Sequence, residues 1–173
     1  MAPRDRLELR AQEPVAQCLI RRLTVPRVYF EANWPGLSQG TVDVLVIDRD
    51  GVGDTHLVEI KRSAKQALLW VPTLLSAHAP FRWVAFFRGT EDEESKSSLA
   101  AQEILYPKDT GGRVGVIEIR EEADGTLGAS VKVPAERFPD AVYDIATSFS
   151  GSNKAAIQFG GGEPPAEAGQ LGR

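Results

Sequence analysis

Two apolar segments near the middle of the chain contain charged residues that a buried strand rarely tolerates. Residues 41–48 read TVDVLVID, and residues 55–62 read THLVEIKR. Short runs of Val, Ile and Leu predict two β-strands, and the turn-rich sequence between them predicts a hairpin. Asp43, Glu59 and Lys61 lie inside these strands, where a charge is costly unless it is paired or bound to a metal ion.

The alternation of side chains along a strand predicts that the three charged groups share one face of the hairpin. Glu59 and Lys61 are two residues apart, so they point in the same direction. A turn centred near Val52 would place Asp43 opposite Lys61, with Glu59 on the adjacent diagonal. Because such neighbours lie about 5 to 8 Å apart, one divalent cation can contact both carboxylates.

The composition is typical of one folded domain with a tail. The chain has 173 residues, of which 42% are hydrophobic, and we expect a single domain over residues 1–150. Residues 151–173 are rich in Gly and Pro, so we expect disorder there. No apolar run is long enough for a membrane span, and the charged start argues against a secretory signal. The lone Cys18 excludes an internal disulfide and favours a reducing, cytoplasmic compartment.

The charge of the chain is unevenly distributed. The net charge of −4 argues weakly against a nucleic-acid partner. Residues 1–88, however, hold about 12 Lys and Arg against about 9 Asp and Glu, so the half that contains the charged strands is mildly basic. The overall acidity therefore neither excludes nor supports binding to nucleic acid.

The remaining pattern predicts a mixed α/β domain. Further strands are predicted at about residues 25–32, 82–87, 114–121 and 127–133, and helices at about 7–23, 63–77, 91–105 and 135–148. Pro14 and Pro72 lie inside two of these helices, where a proline kinks or ends a helix unless it falls in the first turn. Elements in this order predict a central mixed β-sheet flanked by helices.

An Asp on one strand, about fifteen residues, and then Glu-x-Lys on the next strand resembles the signature of the PD-(D/E)xK nuclease superfamily. In this chain the residues are Asp43, Glu59 and Lys61, and Val42 stands where the name of the motif has proline. The similarity extends over roughly residues 8–88. It implies a restriction-endonuclease-like fold and a metal-dependent nuclease, for which DNA is the favoured substrate.

The resemblance also implies a role for each site residue. Asp43, Glu59 and the carbonyl of Ile60 would hold Mg²⁺ or Mn²⁺ through hard oxygen ligands. The ion would lower the pKa of a bound water and neutralise charge that develops on the phosphodiester. Lys61 would position or activate the attacking water, or offset negative charge in the transition state.

Two more positions resemble elements of the same superfamily. Many members add a carboxylate from the first helix, and Glu13 is the candidate here, with Glu8 as the alternative. Gln66 and Trp70 resemble the Gln-x-x-x-Tyr element of RecB-type and lambda-exonuclease-type members, with Trp in place of Tyr. That similarity implies that Gln66 is a site residue beside Lys61.

Several alternatives stay open at the level of sequence. The domain can instead be a non-catalytic binding or assembly subunit of a larger nucleic-acid-processing complex, or a structural protein in which the pattern is a coincidence. A homodimer is equally compatible with the sequence, as are DNA or RNA substrates of any strandedness. Among the aromatic residues we expect Trp70 and Trp83 in the core, whereas Trp34, in a loop, is a candidate for stacking on bases.

Overall fold

The computed structural model describes residues 6–24, 26–34, 37, 40–48, 54–89, 111–139, 141 and 156–157. These residues contain two helices and seven strands. The elements in chain order are α1 (Arg6–Ile20), β1 (Pro26–Asn33), β2 (Thr41–Asp48), β3 (Asp54–Lys61), α2 (Ala64–Leu75), β4 (Phe81–Phe87), β5 (Gly115–Glu121), β6 (Leu127–Val133) and β7 (Ala156–Ile157).

All seven strands belong to one mixed sheet in the order β6-β5-β4-β3-β2-β1-β7. Strands β1, β2 and β3 form an antiparallel meander, and α2 then crosses to β4, which runs parallel to β3. Strand β5 is parallel to β4, while β6 and β7 pair antiparallel at the two edges. The predicted α/β class with a central mixed sheet is confirmed. The carboxyl ends of β3, β4 and β5 lie at the same edge because these strands are parallel.

The two helices cover opposite faces of the sheet. Helix α1 buries residues such as Val15 against Val58 and Ala85, in a core that extends to β5. Helix α2 packs Leu74 against the other face, in a cluster that contains Val84. Neighbouring residues of a strand point to opposite faces, so one strand such as β4 contributes to both cores.

Both helices continue through the prolines that the sequence placed inside them. Pro14 lies in the middle of α1, and Pro72 lies three residues before the end of α2. Helix α2 begins at a Ser63 cap, whose Oγ accepts a hydrogen bond from the N–H of Gln66 at 3.2 Å. Among the described residues, no helix is both long enough and apolar enough to cross a membrane.

The predicted helix at 135–148 is wrong for its described part. The backbone of Glu136 pairs with that of Arg113 in an isolated antiparallel bridge, and Phe138 is buried. Pro134 and Pro139 flank this segment, and because proline lacks an N–H, an extended path that pairs through Glu136 is preferred there. The helix predicted at 91–105 lies outside the described residues.

The tail contributes two residues to the sheet. We expected disorder from residue 151 onward, but Ala156–Ile157 pair with β1 as the edge strand β7. The outer edge of β1 otherwise presents unpaired backbone groups, which explains why an added strand is stabilising there. The rest of the tail lies outside the described residues.

Gly115 gives a direct test of the packing between β4 and β5. A Cβ added at Gly115 would overlap the ring of Trp83, its partner in the sheet register. We therefore expect Gly115→Ala to lower the free energy of unfolding by about 1–3 kcal/mol, as overpacked core positions do. Urea unfolding monitored by circular dichroism measures the change.

Gly128→Ala is the matched control in the neighbouring strand β6. A Cβ there meets only the Glu122 carboxylate, at an ordinary contact distance of 3.6 Å. Equal destabilisation by the two substitutions would contradict the packing described here.

Candidate functional site

The register between β2 and β3 brings the two predicted carboxylates directly together. Val44 pairs with Val58, so the same register places Asp43 opposite Glu59 rather than opposite Lys61. The predicted turn was centred one residue too far along the chain, which shifts the pairing by two residues. Because two residues are one full side-chain period, all three charged groups still share a face of the sheet.

Asp43 is held in place by a hydrogen bond to the neighbouring strand. Its carboxylate is buried, with 8% of the residue exposed, and Oδ2 accepts the N–H of Ile60 at 2.7 Å. This bond joins β2 to β3 beside the Asp43–Glu59 position, at the residue that follows Glu59. A charge-assisted bond to a backbone donor fixes the carboxylate between the strands, beside Glu59.

Glu59 is the most deeply buried carboxylate of the site. Only 3% of the residue is exposed, and its Oε2 accepts a hydrogen bond from Nζ of Lys61 at 2.9 Å. Its other oxygen, Oε1, is buried and has no hydrogen-bond donor among the described residues. A buried acceptor without a donor is costly, so this oxygen is a candidate ligand for a cation.

Burial raises the pKa of Glu59 to about 8. The charge of Asp43 is the second cause of this rise, whereas the Lys61 ammonium opposes it. When both carboxyl groups are ionised, neither has a proton to donate, so they share a hydrogen bond only when Glu59 is protonated. The pair therefore favours uptake of a positive charge, either a proton or a metal ion.

Lys61 is held between an acid and an aromatic ring. Its Nζ contacts Glu59 on one side and lies 4.2 Å from the ring centroid of Trp70 on the other. We predicted a core position for Trp70, but the residue is half-buried and its ring face is covered by the ammonium group. The cation–π contact couples helix α2 to the end of β3.

Gln66 is exposed in the first turn of α2. Its side-chain Oε1 accepts the N–H of Arg62 at 3.1 Å, which links the helix start to the residue that follows β3. This contact is local and lies next to Lys61 in the chain. A direct site role for Gln66 stays a prediction.

The structure does not bring Glu13 together with the central acids. Glu13 is exposed on α1, where its Oε1 accepts a hydrogen bond from Gln17 at 3.3 Å. In the described ranges, no group of three or more His, Cys, Asp and Glu side chains is arranged to hold a metal ion. The ligand roles of Glu13, of its alternative Glu8 and of the Ile60 carbonyl therefore stay predictions.

A strained residue that the sequence did not reveal lies level with Asp43 on the neighbouring strand. Glu31 of β1 has a φ of 53°, and its two neighbours pair with the two neighbours of Asp43. Gln12, a buried residue of α1, donates a hydrogen bond to the Glu31 carboxylate at 3.3 Å. Such backbone strain costs about 1–3 kcal/mol and is concentrated at functional sites. Nothing in a Glu within an apolar strand signals its φ, so sequence reasoning had no means of finding it.

Trp34 does not serve as a base-stacking residue. Only 2% of it is exposed, and its Nε1 donates to the carbonyl of Ala77 at 2.7 Å. The prediction from its loop position was wrong because Trp34 itself is buried in the core. His56 is also structural, since its Nδ1 accepts a hydrogen bond from Nε1 of Trp83 at 3.1 Å.

Comparison with protein-family models and with curated proteins finds no match for the chain. The interpretation of the site therefore depends on the geometry of its own residues. That geometry brings together Asp43, Glu59 and Lys61, and it adds Trp70 as a contact of the lysine.

The raised pKa of Glu59 makes the stability of the metal-free protein depend on pH. The pKa of Glu59 is about 8 in the folded state, so its proton is kept up to about that pH, whereas the unfolded chain loses the proton near the ordinary glutamate pKa of 4.5. The resulting stabilisation is fully present below the unfolded pKa and is lost as the pH rises through the folded pKa. Glu59→Gln carries no charge at any pH, so we expect its melting temperature to rise relative to wild type as the pH increases through this window.

Thermal melts in EDTA across this pH range measure the difference. Glu136→Gln is the control, because it removes a carboxylate that is 57% exposed and paired with Arg113. If the melting temperatures of both variants run parallel to that of wild type at every pH, the titration of Glu59 is not the cause of the pH dependence.

Proposed function

We propose that this protein is a metal-dependent nuclease of the PD-(D/E)xK superfamily, with a restriction-endonuclease-like fold, that hydrolyses phosphodiester bonds in nucleic acid, with DNA as the favoured substrate. The observation that carries the proposal is the buried Glu59 carboxylate, one oxygen of which has no donor among the described residues. Asp43 lies opposite it, and Lys61 lies on the same face. The mixed α/β sheet supports the proposal because it presents all three groups from two adjacent strands.

The chemistry of the donor set fits Mg²⁺ or Mn²⁺. Carboxylate oxygens are the ligands that these hard cations prefer, and Mg²⁺ commonly uses one or two protein carboxylates and completes its shell with water and substrate oxygens. Asp43 and Glu59 would hold the ion, with the Ile60 carbonyl as a further ligand. When bound, such an ion lowers the pKa of water and neutralises charge on a phosphoryl group. A bound cation would give the two carboxylates the charge compensation that Glu59 otherwise obtains from a proton.

Lys61 supplies the cationic group of the proposed site. Its ammonium is a compact donor that can hold an attacking water or a phosphate oxygen. Glu59 and Trp70 restrict where that donor points, because they contact Nζ from two sides. The acid and the ring thus orient the lysine before substrate arrives, which lowers the cost of ordering it during the reaction.

One observation favours a second candidate, a non-catalytic nuclease-fold subunit of a larger nucleic-acid-processing complex. Among the described residues no third acid joins Asp43 and Glu59, and the ammonium of Lys61 is paired with Glu59. A domain of this kind would bind a metal ion or a partner without cleaving nucleic acid. Cleavage and metal binding therefore have to be measured separately.

The main test is a cleavage screen with Mg²⁺ and Mn²⁺ on single-stranded, duplex and branched DNA and on RNA. We expect metal-dependent cleavage that falls by about 10²-fold or more in Glu59→Gln and in Lys61→Ala, as when a charge-stabilising catalytic group is removed. Gel analysis of end-labelled substrates measures the rates. Glu136→Gln is the matched control, since its carboxylate forms an ion pair with Arg113 outside the site.

Two outcomes would contradict the nuclease proposal. Cleavage that persists in both site variants would identify a contaminating enzyme. Absence of cleavage on every substrate, combined with a Mg²⁺-induced rise in melting temperature that Glu59→Gln abolishes, would support the non-catalytic subunit instead.

Trp70 tests whether the orientation of Lys61 matters. We expect Trp70→Leu to reduce the cleavage rate between about twofold and thirtyfold, the range that a cation–π contact of 0.5–2 kcal/mol allows. Trp70→Phe keeps an aromatic face and should retain more of the rate. Single-turnover kinetics measures the effect, and equal losses in the two variants would show that only the volume of the side chain is important.

A further inference from the structure

A second charged cluster lies on β5 and β6, outside the site described above. Three cationic side chains surround one oxygen, Oε1 of Glu118, in the described structure. Arg120 Nε contacts it at 2.8 Å, while Arg88 Nη1 and Lys132 Nζ lie at 3.7 Å. One carboxylate can balance only one of these charges, so the cluster is cationic.

The cations of this cluster are accessible to a ligand. The side chains of Arg120 and Lys132 are 46% and 42% exposed, whereas that of Glu118 is 15% exposed. Arg120 contacts Glu118 through Nε, and its terminal nitrogens make no other polar contact within the described part of the chain.

Small residues leave room for a ligand beside these cations. Gly128 and Ser130 line a depression of about 280 Å³ that the cluster borders. Glu122 also lies on its rim and lowers the positive charge without removing it.

The register of the sheet places this cluster near the carboxylate pair. Lys61 pairs with Phe86 of β4, and Phe86 pairs with Glu118 of β5, so all three lie in one row on the same face. Two strand spacings separate the ends of this row, a distance of about 10 Å. A nucleic-acid strand that passes over one place can therefore reach the other within a few nucleotides. The start of α2 packs over Phe86 between them and presents the exposed Lys65.

We infer that Arg120 and Lys132, held around Glu118, bind a backbone phosphate of nucleic acid a few nucleotides from the bond at the Asp43–Glu59 pair. The inference rests on the proposed function for its substrate. Glu118 sets the strength of this phosphate site, because it competes with the phosphate for the same cations. Removal of the acid therefore strengthens binding, whereas removal of the cations weakens it.

The test measures the salt dependence of binding in EDTA, so that no cleavage occurs. The probes are fluorescein-labelled single-stranded DNA, duplex DNA and RNA, and the readout is fluorescence anisotropy. In the double variant Arg120→Gln/Lys132→Gln, the slope of log affinity against log salt should fall by about 0.7 for single strands or about 0.9 for duplex, the loss of one phosphate contact. The probe that wild type binds most tightly identifies the preferred form of nucleic acid.

The matched control is Arg21→Gln/Arg22→Gln. Both residues are exposed just after α1, and this pair changes the net charge of the chain by the same amount. We expect its slope to equal that of wild type. A third variant, Glu118→Gln, should bind more tightly than wild type, a change opposite in sign to that of the cation variant. If Glu118→Gln unfolds at too low a temperature for the binding assay, the comparison of the two double variants alone tests the phosphate site.

Each outcome has one meaning. The phosphate site is overturned if the two double variants shift the slope equally, if neither shifts it, if Glu118→Gln weakens binding, or if no probe binds. Because the assay needs no metal, its result is separate from the cleavage screen. A selective slope change without cleavage would support the phosphate site and contradict the nuclease proposal. Cleavage with an unchanged slope would support the nuclease proposal and contradict the phosphate site.

Discussion

The burial of Glu59 beside Asp43 is the constraint on which the site depends. The two carboxylates lie opposite each other on β2 and β3, and the Asp43 side chain accepts the N–H of Ile60. An apolar sheet gives two adjacent acids little solvation, so their repulsion has to be offset by Lys61, by a proton or by a bound cation. Every other feature of the site, from the ring of Trp70 to the proposed metal, acts on this imbalance of charge.

The sequence was sufficient to predict the class of fold and to predict that the three central charged residues lie on one face of the sheet. Period-two alternation over residues 41–48 and 55–62 places Asp43, Glu59 and Lys61 on one face whichever register the hairpin adopts, provided that the shift is even. The prediction of their shared face was therefore insensitive to the error in the turn. Pro14 and Pro72 do not end the helices that contain them, since packing against the sheet retains both helices.

Other features depended on tertiary context and could not be read from the chain. The exact partner of Asp43 depends on a turn whose centre the turn residues leave ambiguous by one position. The positive φ of Glu31 is imposed by its surroundings and has no marker in composition. Lys132 is far along the chain from Glu118 and Arg120, and only the pairing of β5 with β6 brings it to them. Trp34 and the segment around Glu136 were misread because neighbouring elements, rather than local propensity, decide their burial and pairing.

The stacking of Lys61 on Trp70 gives the molecule an intrinsic optical reporter. The chain has three tryptophans, and the indole N–H groups of Trp34 and Trp83 are both committed to buried acceptors. Trp70 is the one whose ring faces the Lys61 ammonium. Any event that draws the ammonium toward Glu59, or releases it, changes the electric field on this indole and hence its emission. Ordinary tryptophan fluorescence can therefore follow the occupancy of the carboxylate pair without an added label.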